Sequence, residues 1–159
     1  MIIEQKLESM GIVLPDFARD GFYGLAYGSM KSHHLVGNIL FLGGHVPIVD
    51  GKPFNTGILG KDLTLEQGYE AARVTAINCL AGIKYAIGDL DNVVSIIRSL
   101  NFVVSTPEFL EVNKVGSGAT DLFAEVFGEE KGLGGRATIG VTSLAGGVCF
   151  ENWLTVEVK

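Results

Sequence analysis

The clearest helical pattern in the chain runs from Leu65 to Ile87. Apolar or small residues recur there at helical spacing, and most charged residues fall between them. Thr64 and Gln67 have the spacing of a capping box, and Gly88 follows the last apolar position. We predict one long helix with both ends marked, whose alanine-rich face can lie close to a sheet.

Short apolar runs broken by glycine predict strands before this helix. The Gly37-Asn38 pair between two apolar runs is typical of a tight hairpin turn, and Gly43-Gly44 ends the second run, Ile39 to Leu42. Backbone without side chains at Gly43-Gly44 permits the close approach of another chain or of a ligand. A further turn is predicted between Val49 and Pro53.

The last 26 residues contain two strand-like runs, Ala137 to Leu144 and Val148 to Val158. Ala145-Gly146-Gly147 separates them, so the pattern predicts a hairpin. Alternation along the second run places Glu151 on the face opposite Phe150. The predicted hairpin therefore carries a carboxylate among apolar neighbours.

Between these regions, β-branched residues from Asn92 to Ser105 predict a buried strand with a bulge near Ser99. Thr106-Pro107 then predicts the start of a second helix that ends at Phe127. Because glycine in a helix interior costs about 1 kcal/mol relative to alanine, we expect an interruption at Gly116–Gly118. A flexible loop, Glu129 to Gly135, should follow.

The order of elements predicts an α+β fold. We predict one mixed sheet with two long helices on one face, preceded by a short helix over residues 2–11. The length of 159 residues favours a single domain, 1–159, in which residues 1–20 precede the first strands. The composition is 47% hydrophobic and 19% charged, which is apolar for a small monomer and favours an oligomer.

Composition also argues against several classes of partner. No apolar run approaches the roughly 20 residues of a membrane span, and acidic residues stand near the start where a signal peptide would be basic. We therefore expect a cytoplasmic protein. A net charge of -6 without a basic cluster argues against nucleic acid. Cys79 and Cys149 lie far apart without metal-binding or redox spacing and should be free thiols.

Arg136 and Glu151 are the leading candidates for chemistry. If they lie across the closing hairpin, their strands can bring the guanidinium and the carboxylate to one cleft. Arginine suits the bidentate capture of a substrate carboxylate, and glutamate can act as a general acid/base or orient a water. A salt bridge between the two, or a subunit contact, explains the same pair and stays open.

Other patterns are weaker. The three histidines lack the spacing of a metal site, and neither Ser117 nor Ser143 has a histidine motif beside it, so we expect no metal and no nucleophile triad. Gly116 and Gly118 follow a helix rather than a strand, which argues against a dinucleotide site. No cofactor is expected.

Three segments resemble the reactive-intermediate deaminase superfamily, which is YjgF-like and also known as endoribonuclease L-PSP. They are DLTLEQGYEAARVTAINCLAGIKYAIGDLDNVVSIIRSLNFVVSTPEF, VGSGATDLFAEVFGE and RATIGVTSL with VCFENWLTVEV. The chain is most similar to the longer subgroup with an N-terminal extension, and the resemblance covers nearly everything from Gly37 onward. It implies a chorismate-mutase-like fold, a homotrimer and three clefts between subunits.

The resemblance also implies roles for particular residues. Members with established chemistry hydrolyse reactive enamines or imines; an arginine holds the substrate carboxylate and a glutamate positions water. Arg136 and Glu151 match those positions, fifteen residues apart, and Gly44 matches the glycine that ends the second strand beside the cleft.

Several positions depart from the pattern of the superfamily. Met30 replaces a tyrosine seven residues before the Gly-Asn turn, and Ser117 replaces the asparagine of an Asn-Gly-Ala-Ser segment. Gly135 stands where the subgroup has histidine, and Thr138 where many members have cysteine or serine. Met30, Ser117 and Thr138 are therefore candidate substrate-binding residues with altered chemistry.

The sequence supports three functional hypotheses. The first is an imine or enamine hydrolase that acts on a small carboxylate-bearing metabolite in an intersubunit cleft, with Glu151 catalytic and Arg136 binding the carboxylate. The second is a non-catalytic module that binds a small carboxylate in the same cleft. RNA cleavage, the third, follows from the older description of the superfamily, and the acidic balance argues against it.

Overall fold

A computed structural model describes residues 1–159, with two long helices packed on one face of a five-stranded sheet. The helices are α1 (Ile2–Ser9), α2 (Phe17–Asp20), α3 (Leu65–Ile87), α4 (Val112–Phe127) and α5 (Glu129–Gly132). The strands are β1 (His33–Val36), β2 (Ile39–Leu42), β3 (Ile48–Val49), β4 (Lys52–Pro53), β5 (Val93–Val104), β6 (Gly135–Val141) and β7 (Phe150–Val158). The predicted α+β class, with its mixed sheet and short N-terminal helix, is confirmed.

Helix α3 has the predicted bounds because its ends are fixed locally. The Thr64 hydroxyl accepts the backbone N–H of Gln67, and the Gln67 side chain accepts the N–H of Thr64 in return. Gly88 ends the helix at a positive φ of 82°. Ala71, Ala72 and other small residues of its inner face are fully buried, so the helix lies close to its neighbours.

Helix α4 differs from the prediction at both its start and its middle. It begins at Val112 rather than at Thr106-Pro107, where only a single turn forms, closed by the Phe109 N–H donating to the Thr106 carbonyl at 3.1 Å. It also runs unbroken through Gly116–Gly118. A Cβ on Gly118 would lie 2.1 Å from the Tyr69 carbonyl oxygen. The glycines therefore serve close packing and do not interrupt the helix.

The predicted closing hairpin is wrong. In the sheet order β1-β2-β7-β5-β6, β5 lies between β6 and β7, the last two strands of the chain. Ser99 of β5 pairs in parallel with Arg136 of β6 and in antiparallel fashion with Leu154 of β7. The eight residues that connect β6 to β7 are long enough to pass one strand. The Ala-Gly-Gly signal therefore marks a reversal of direction and not a pair of bonded strands.

The first hairpin is confirmed, with Gly37 at a φ of 59° between β1 and β2. β5 has register irregularities between Val93 and Ser95 and between Ile96 and Arg98, and the second lies beside Ser99, near which a bulge is predicted. The expected loop after α4 contains the short helix α5. None of the helices combines the length and apolar character that crossing a bilayer requires.

The two faces of the sheet differ. The face toward α3 and α4 is buried and includes Ser99 and Leu154. The other face, here called the open face, carries large apolar side chains that stay partly exposed. They include Phe41 at 43%, Ile139 at 46% and Trp153 at 52% exposure. The open face of one chain thus leaves apolar surface in contact with solvent.

Candidate functional site

Glu151 lies near the start of β7, on the open face. It pairs with Phe102 of β5, and Trp153 follows two residues later on the same face. The indole Nε1 of Trp153 donates a hydrogen bond of 2.7 Å to Oε2 of Glu151. Oε1 makes no hydrogen bond within the chain, so Glu151 is held by one oxygen and can use the other.

Gly44 lies directly against this pair. A Cβ on Gly44 would be 3.0 Å from Cδ of Glu151 and 3.1 Å from Nε1 of Trp153. A side chain at this position would therefore displace the carboxylate or break its bond to the indole. The close backbone approach that the Gly43-Gly44 pair predicts is an approach to Glu151.

Glu151 and Trp153 form one wall of a cavity of about 240 Å³, here called the Glu151 cavity. The remaining lining residues are Tyr23, Gly24, Tyr27, Met30, Gly44, Val46 and Ala145. Met30 is thus a wall residue of the cavity that holds the candidate acid/base. Sequence reasoning missed both tyrosines, although two tyrosines four residues apart, shortly before Met30, were the available signal.

His45 supports the backbone beneath the Glu151 cavity. It is fully buried, its Nδ1 lies 2.8 Å from the Gly43 carbonyl oxygen, and its backbone N–H and C=O both pair with Asn152. Nε2 has no partner and faces Gly82, on which a Cβ would lie only 2.5 Å away. Nδ1 is therefore the protonated nitrogen, and burial lowers the pKa of His45 to about 4.

Arg136 stands near the start of β6, the edge strand of the sheet, and its side chain reaches α4. Nη1 donates to Oγ of Ser117 at 3.1 Å and to Oγ1 of Thr120 at 2.9 Å. Nη2 donates to the Asn113 carbonyl at 3.2 Å. Every partner is neutral and the guanidinium is exposed, so its positive charge has no counter-ion within the chain.

A buried polar chain lies behind Arg136. The Asn152 amide donates at 2.6 Å to both Ser99 Oγ and Asn101 Oδ1, and the Asn101 amide lies 3.5 Å from Oγ1 of Thr138. Thr138 is therefore the last member of this chain, on the helix-facing side of β6. Cys79 is buried beside Asn152, and burial raises the pKa of its thiol.

Arg136 and Glu151 do not meet within one chain. Arg136 shares the helix-facing side of the sheet with Ser99, whereas Glu151 shares the open face with Phe102, three residues farther along β5. They form neither the cleft expected from a hairpin nor a salt bridge. The structure instead yields two half-sites. The cationic half-site contains Arg136, Ser117, Thr120 and Thr138, and the acidic half-site contains Glu151, Trp153, Gly44 and Met30.

Comparison with known proteins identifies the family. Residues 4–143 match the family described as "YjgF/chorismate_mutase-like, putative endoribonuclease". The chain belongs to this YjgF-like family.

Several relatives align with nearly the whole chain. Protein TCP17 of Trypanosoma cruzi is 35% identical over 159 residues, which cover 99% of this chain and 94% of TCP17. The crystal structure of Atu1372 from Agrobacterium tumefaciens is 34% identical with a TM-score of 0.87, covering 99% of this chain and 94% of that one. A Shewanella oneidensis structure with the same endoribonuclease description is 29% identical with a TM-score of 0.90, covering 98% and 99%.

Membership of the YjgF-like family confirms the resemblance drawn from the sequence. It supports a role in binding or converting a small molecule. The residues that depart from the family pattern fall in both half-sites: Met30 lines the Glu151 cavity, while Ser117 and Thr138 lie with Arg136.

Proposed function

We propose that this protein is an imine or enamine hydrolase that acts on a small metabolite bearing a carboxylate. The observation that carries the proposal is the division of the candidate residues into two half-sites. One holds an exposed arginine without a counter-ion, and the other holds a glutamate with a free oxygen in a cavity. A guanidinium in this state suits a carboxylate ligand, and such a glutamate suits work on a water.

The two half-sites would be joined by assembly. Arg136 stands on the edge strand β6, and Glu151 lies on the open face with its exposed apolar residues. A second copy of the chain that covers this apolar surface could bring its own edge strand toward Glu151. We infer a homotrimer with one cleft at each subunit boundary, in which Arg136 comes from one subunit and Glu151 from the next.

In that cleft the reaction needs no cofactor. Arg136 binds the substrate carboxylate through its planar fork and fixes the position of the C=N carbon. Glu151, held by Trp153, accepts a proton from a water whose oxygen attacks that carbon. Glu151 returns that proton to the nitrogen, which gives the neutral carbinolamine. Glu151 then carries the hydroxyl proton to the same nitrogen, so the C–N bond breaks, ammonia leaves and the C=O bond of a 2-oxo acid forms. An enamine would first take a proton on carbon to become the imine.

The first test follows freshly generated 2-iminopropanoate in the presence of the purified protein. We expect the imine to disappear faster than in buffer, and we expect Glu151→Gln to lose at least about 100-fold of that rate, because general acid/base groups contribute roughly 10²–10⁴-fold. A wild-type rate equal to that of Glu151→Gln would contradict the proposal.

Mixing subunits tests where the half-sites come from. Arg136→Ala and Glu151→Gln chains are each expected to be inactive. If the variants are unfolded together and refolded as random trimers, about a quarter of the sites receive an intact arginine and an intact glutamate, since the two come from different chains. Recovery of about a quarter of wild-type activity supports the intersubunit cleft. No recovery, with trimers formed, would place both groups in one subunit and contradict it.

A binding module without turnover is the second candidate. The neutral partners of Arg136 favour it, because capture of a carboxylate needs only the exposed charge. Thermal shift against small 2-oxo acids and amino acids separates the two functions: a binder gains stability and leaves every ligand chemically intact. RNA cleavage has less support, since a net charge of -6 gives no attraction for a polyanion.

A further inference from the structure

The Glu151 cavity is apolar apart from a few oriented groups. Six of its nine lining residues are counted as hydrophobic: Met30, Val46, Ala145, Trp153 and the two tyrosines, Tyr23 and Tyr27. Specific pockets for small molecules commonly combine such a wall with a few fixed polar groups. The polar groups therefore decide which ligand atoms the cavity can accept.

The two tyrosines of the cavity differ in what their hydroxyls do. The Tyr23 hydroxyl accepts the Val46 N–H at 3.0 Å and lies 3.3 Å from the Val46 carbonyl oxygen, to which it donates. Burial raises the pKa of Tyr23, so the hydroxyl stays neutral and committed to the backbone. Tyr23 is part of the cavity frame.

The Tyr27 hydroxyl makes no hydrogen bond within the chain, and the side chain is 36% exposed. Its ring lies over Gly146, where a Cβ would be 3.1 Å from Cε1 and 3.2 Å from the hydroxyl oxygen. Gly146 also has a φ of 72°, which favours glycine. The segment before β7 is therefore shaped around the Tyr27 ring, and its hydroxyl is the uncommitted donor of the wall.

The size of the cavity permits a ligand side chain larger than a methyl group. A volume of about 240 Å³ corresponds to roughly eight water molecules at 30 Å³ each. This space exceeds what a methyl group needs and accommodates a branched aliphatic or a single aromatic side chain. Burial of each additional CH₂ group against an apolar wall is favourable, so a ligand with a larger apolar group should be preferred.

We propose that Tyr27 is a specificity-determining residue that donates a hydrogen bond to the ligand, and that the Glu151 cavity selects metabolites with a branched or aromatic apolar side chain next to an acceptor atom. The inference rests on the proposed function for the position of the ligand beside Glu151. It narrows the substrate class from any small carboxylate to those derived from larger apolar amino acids.

Equilibrium binding by NMR titration of the wild-type protein tests the inference with four probes. Pyruvate, 4-methyl-2-oxopentanoate and phenylpyruvate vary the side chain, and 4-methylpentan-2-one lacks the carboxylate. We expect the two larger acids to bind about tenfold or more tightly than pyruvate. Tyr27→Phe, which removes only the hydroxyl, should weaken binding of the larger acids by about three- to tenfold.

Tyr85→Phe is the matched control, because Tyr85 lies on α3 outside the cavity, is 45% exposed and also has a hydroxyl without a partner. It should bind all four probes as the wild type does. Equal affinity for pyruvate and the larger acids, or wild-type affinity in Tyr27→Phe, would overturn the inference. An equal loss of affinity for the larger acids in Tyr85→Phe would also overturn the inference.

Arg136→Ala separates this inference from the proposed function. If this variant binds the acids as tightly as the wild type while the preference for larger side chains and the Tyr27→Phe loss persist, carboxylate capture by Arg136 fails and the inference stands. If Arg136→Ala binds the acids more weakly than the wild type does, and no protein prefers the larger side chains, the inference fails and the proposed function stands. Absence of binding by every probe would overturn both.

Discussion

Gly44 is the residue whose replacement should most directly disturb Glu151. In Gly44→Ala the added methyl would crowd Cδ of Glu151 at 3.0 Å and Nε1 of Trp153 at 3.1 Å. We expect the hydrogen bond between Glu151 and Trp153 to break and the free energy of unfolding to fall by about 1–3 kcal/mol from overpacking. Trp153 is the only tryptophan of the chain, so its emission spectrum and urea denaturation report both effects.

Gly135→Ala is the control for this substitution. Gly135 also belongs to the sheet, but the atoms nearest to its Cβ position are 4.0 Å away. The emission spectrum and the stability of Gly135→Ala should match those of the wild type. Unchanged emission in Gly44→Ala would show that Glu151 and Trp153 tolerate a side chain at position 44.

His45 should make the stability of the protein depend on pH. Its pKa is lowered from 6.5 to about 4 in the folded state, so between these values the unfolded chain binds a proton that the folded chain does not. The free energy of unfolding should therefore decrease as pH falls from about 6.5 toward 4, by up to about 3 kcal/mol from this residue at 1.36 kcal/mol per pKa unit. Urea denaturation at several pH values in this window measures the slope.

His45→Asn retains a side-chain N–H that can reach the Gly43 carbonyl but does not titrate. We expect a smaller decrease in stability across this window, whatever its absolute stability at pH 7. A wild-type slope in His45→Asn would assign the pH dependence to other groups.

At the scale of elements, α4 depends on glycines that helix propensity disfavours. Alanine is favoured over glycine by about 1 kcal/mol in a helix, yet Gly118→Ala would place Cβ 2.1 Å from the Tyr69 carbonyl oxygen. We expect a net loss of about 1–3 kcal/mol or more, because α4 must move away from α3. Thermal and urea denaturation measure the difference.

Asn113→Ala in the same helix is the matched control, since the Asn113 side chain is exposed and only its carbonyl contacts Arg136. Its stability should lie within about 0.5 kcal/mol of the wild type. Stabilisation by Gly118→Ala would instead mean that propensity prevails and that the helices are not in close contact there.

The elements also show which local signals are sufficient for prediction. The Thr64 capping box fixes α3 through hydrogen bonds between residues three positions apart, so the sequence predicts its start correctly. Thr106-Pro107 has the same kind of start signal, but only a single turn forms there, in which the Phe109 N–H donates to the Thr106 carbonyl. A start signal therefore marks where a turn begins but does not by itself extend that turn into a helix.

At the scale of the whole molecule, the open face should govern assembly. Phe41 is 43% exposed on this face, close to the exposed Trp153. Phe41→Lys would put a charge into the proposed contact, which an apolar interface tolerates poorly because the charge loses its hydration. We expect the wild type to sediment as a trimer and Phe41→Lys as a smaller species in analytical ultracentrifugation.

Leu110→Lys is the control for assembly, because Leu110 is 81% exposed but lies in the connection between β5 and α4, outside the open face. It should remain a trimer. A wild type that is monomeric at micromolar concentration would contradict the intersubunit cleft itself, whatever the behaviour of Phe41→Lys.

Features that neighbouring residues control could be predicted from the sequence alone. These include the bounds of α3, the turn at Gly37, the α+β class and the family with its candidate pair, Arg136 and Glu151. Caps and tight turns are fixed by hydrogen bonds and dihedral angles within a few residues, so their signals are local. The candidate site residues could also be identified from the sequence, because they match positions in the family pattern.

The way in which these parts meet depends on contacts between distant residues. The tertiary structure separated β6 from β7 by β5, placed Arg136 and Glu151 on opposite faces, and brought Tyr27 over Gly146 into the Glu151 cavity. Strand pairing and cavity walls depend on contacts between residues far apart in sequence, whose energies no local pattern encodes. The identities of the candidate residues are therefore visible in the sequence. Their division into two half-sites results from the long-range packing of the strands.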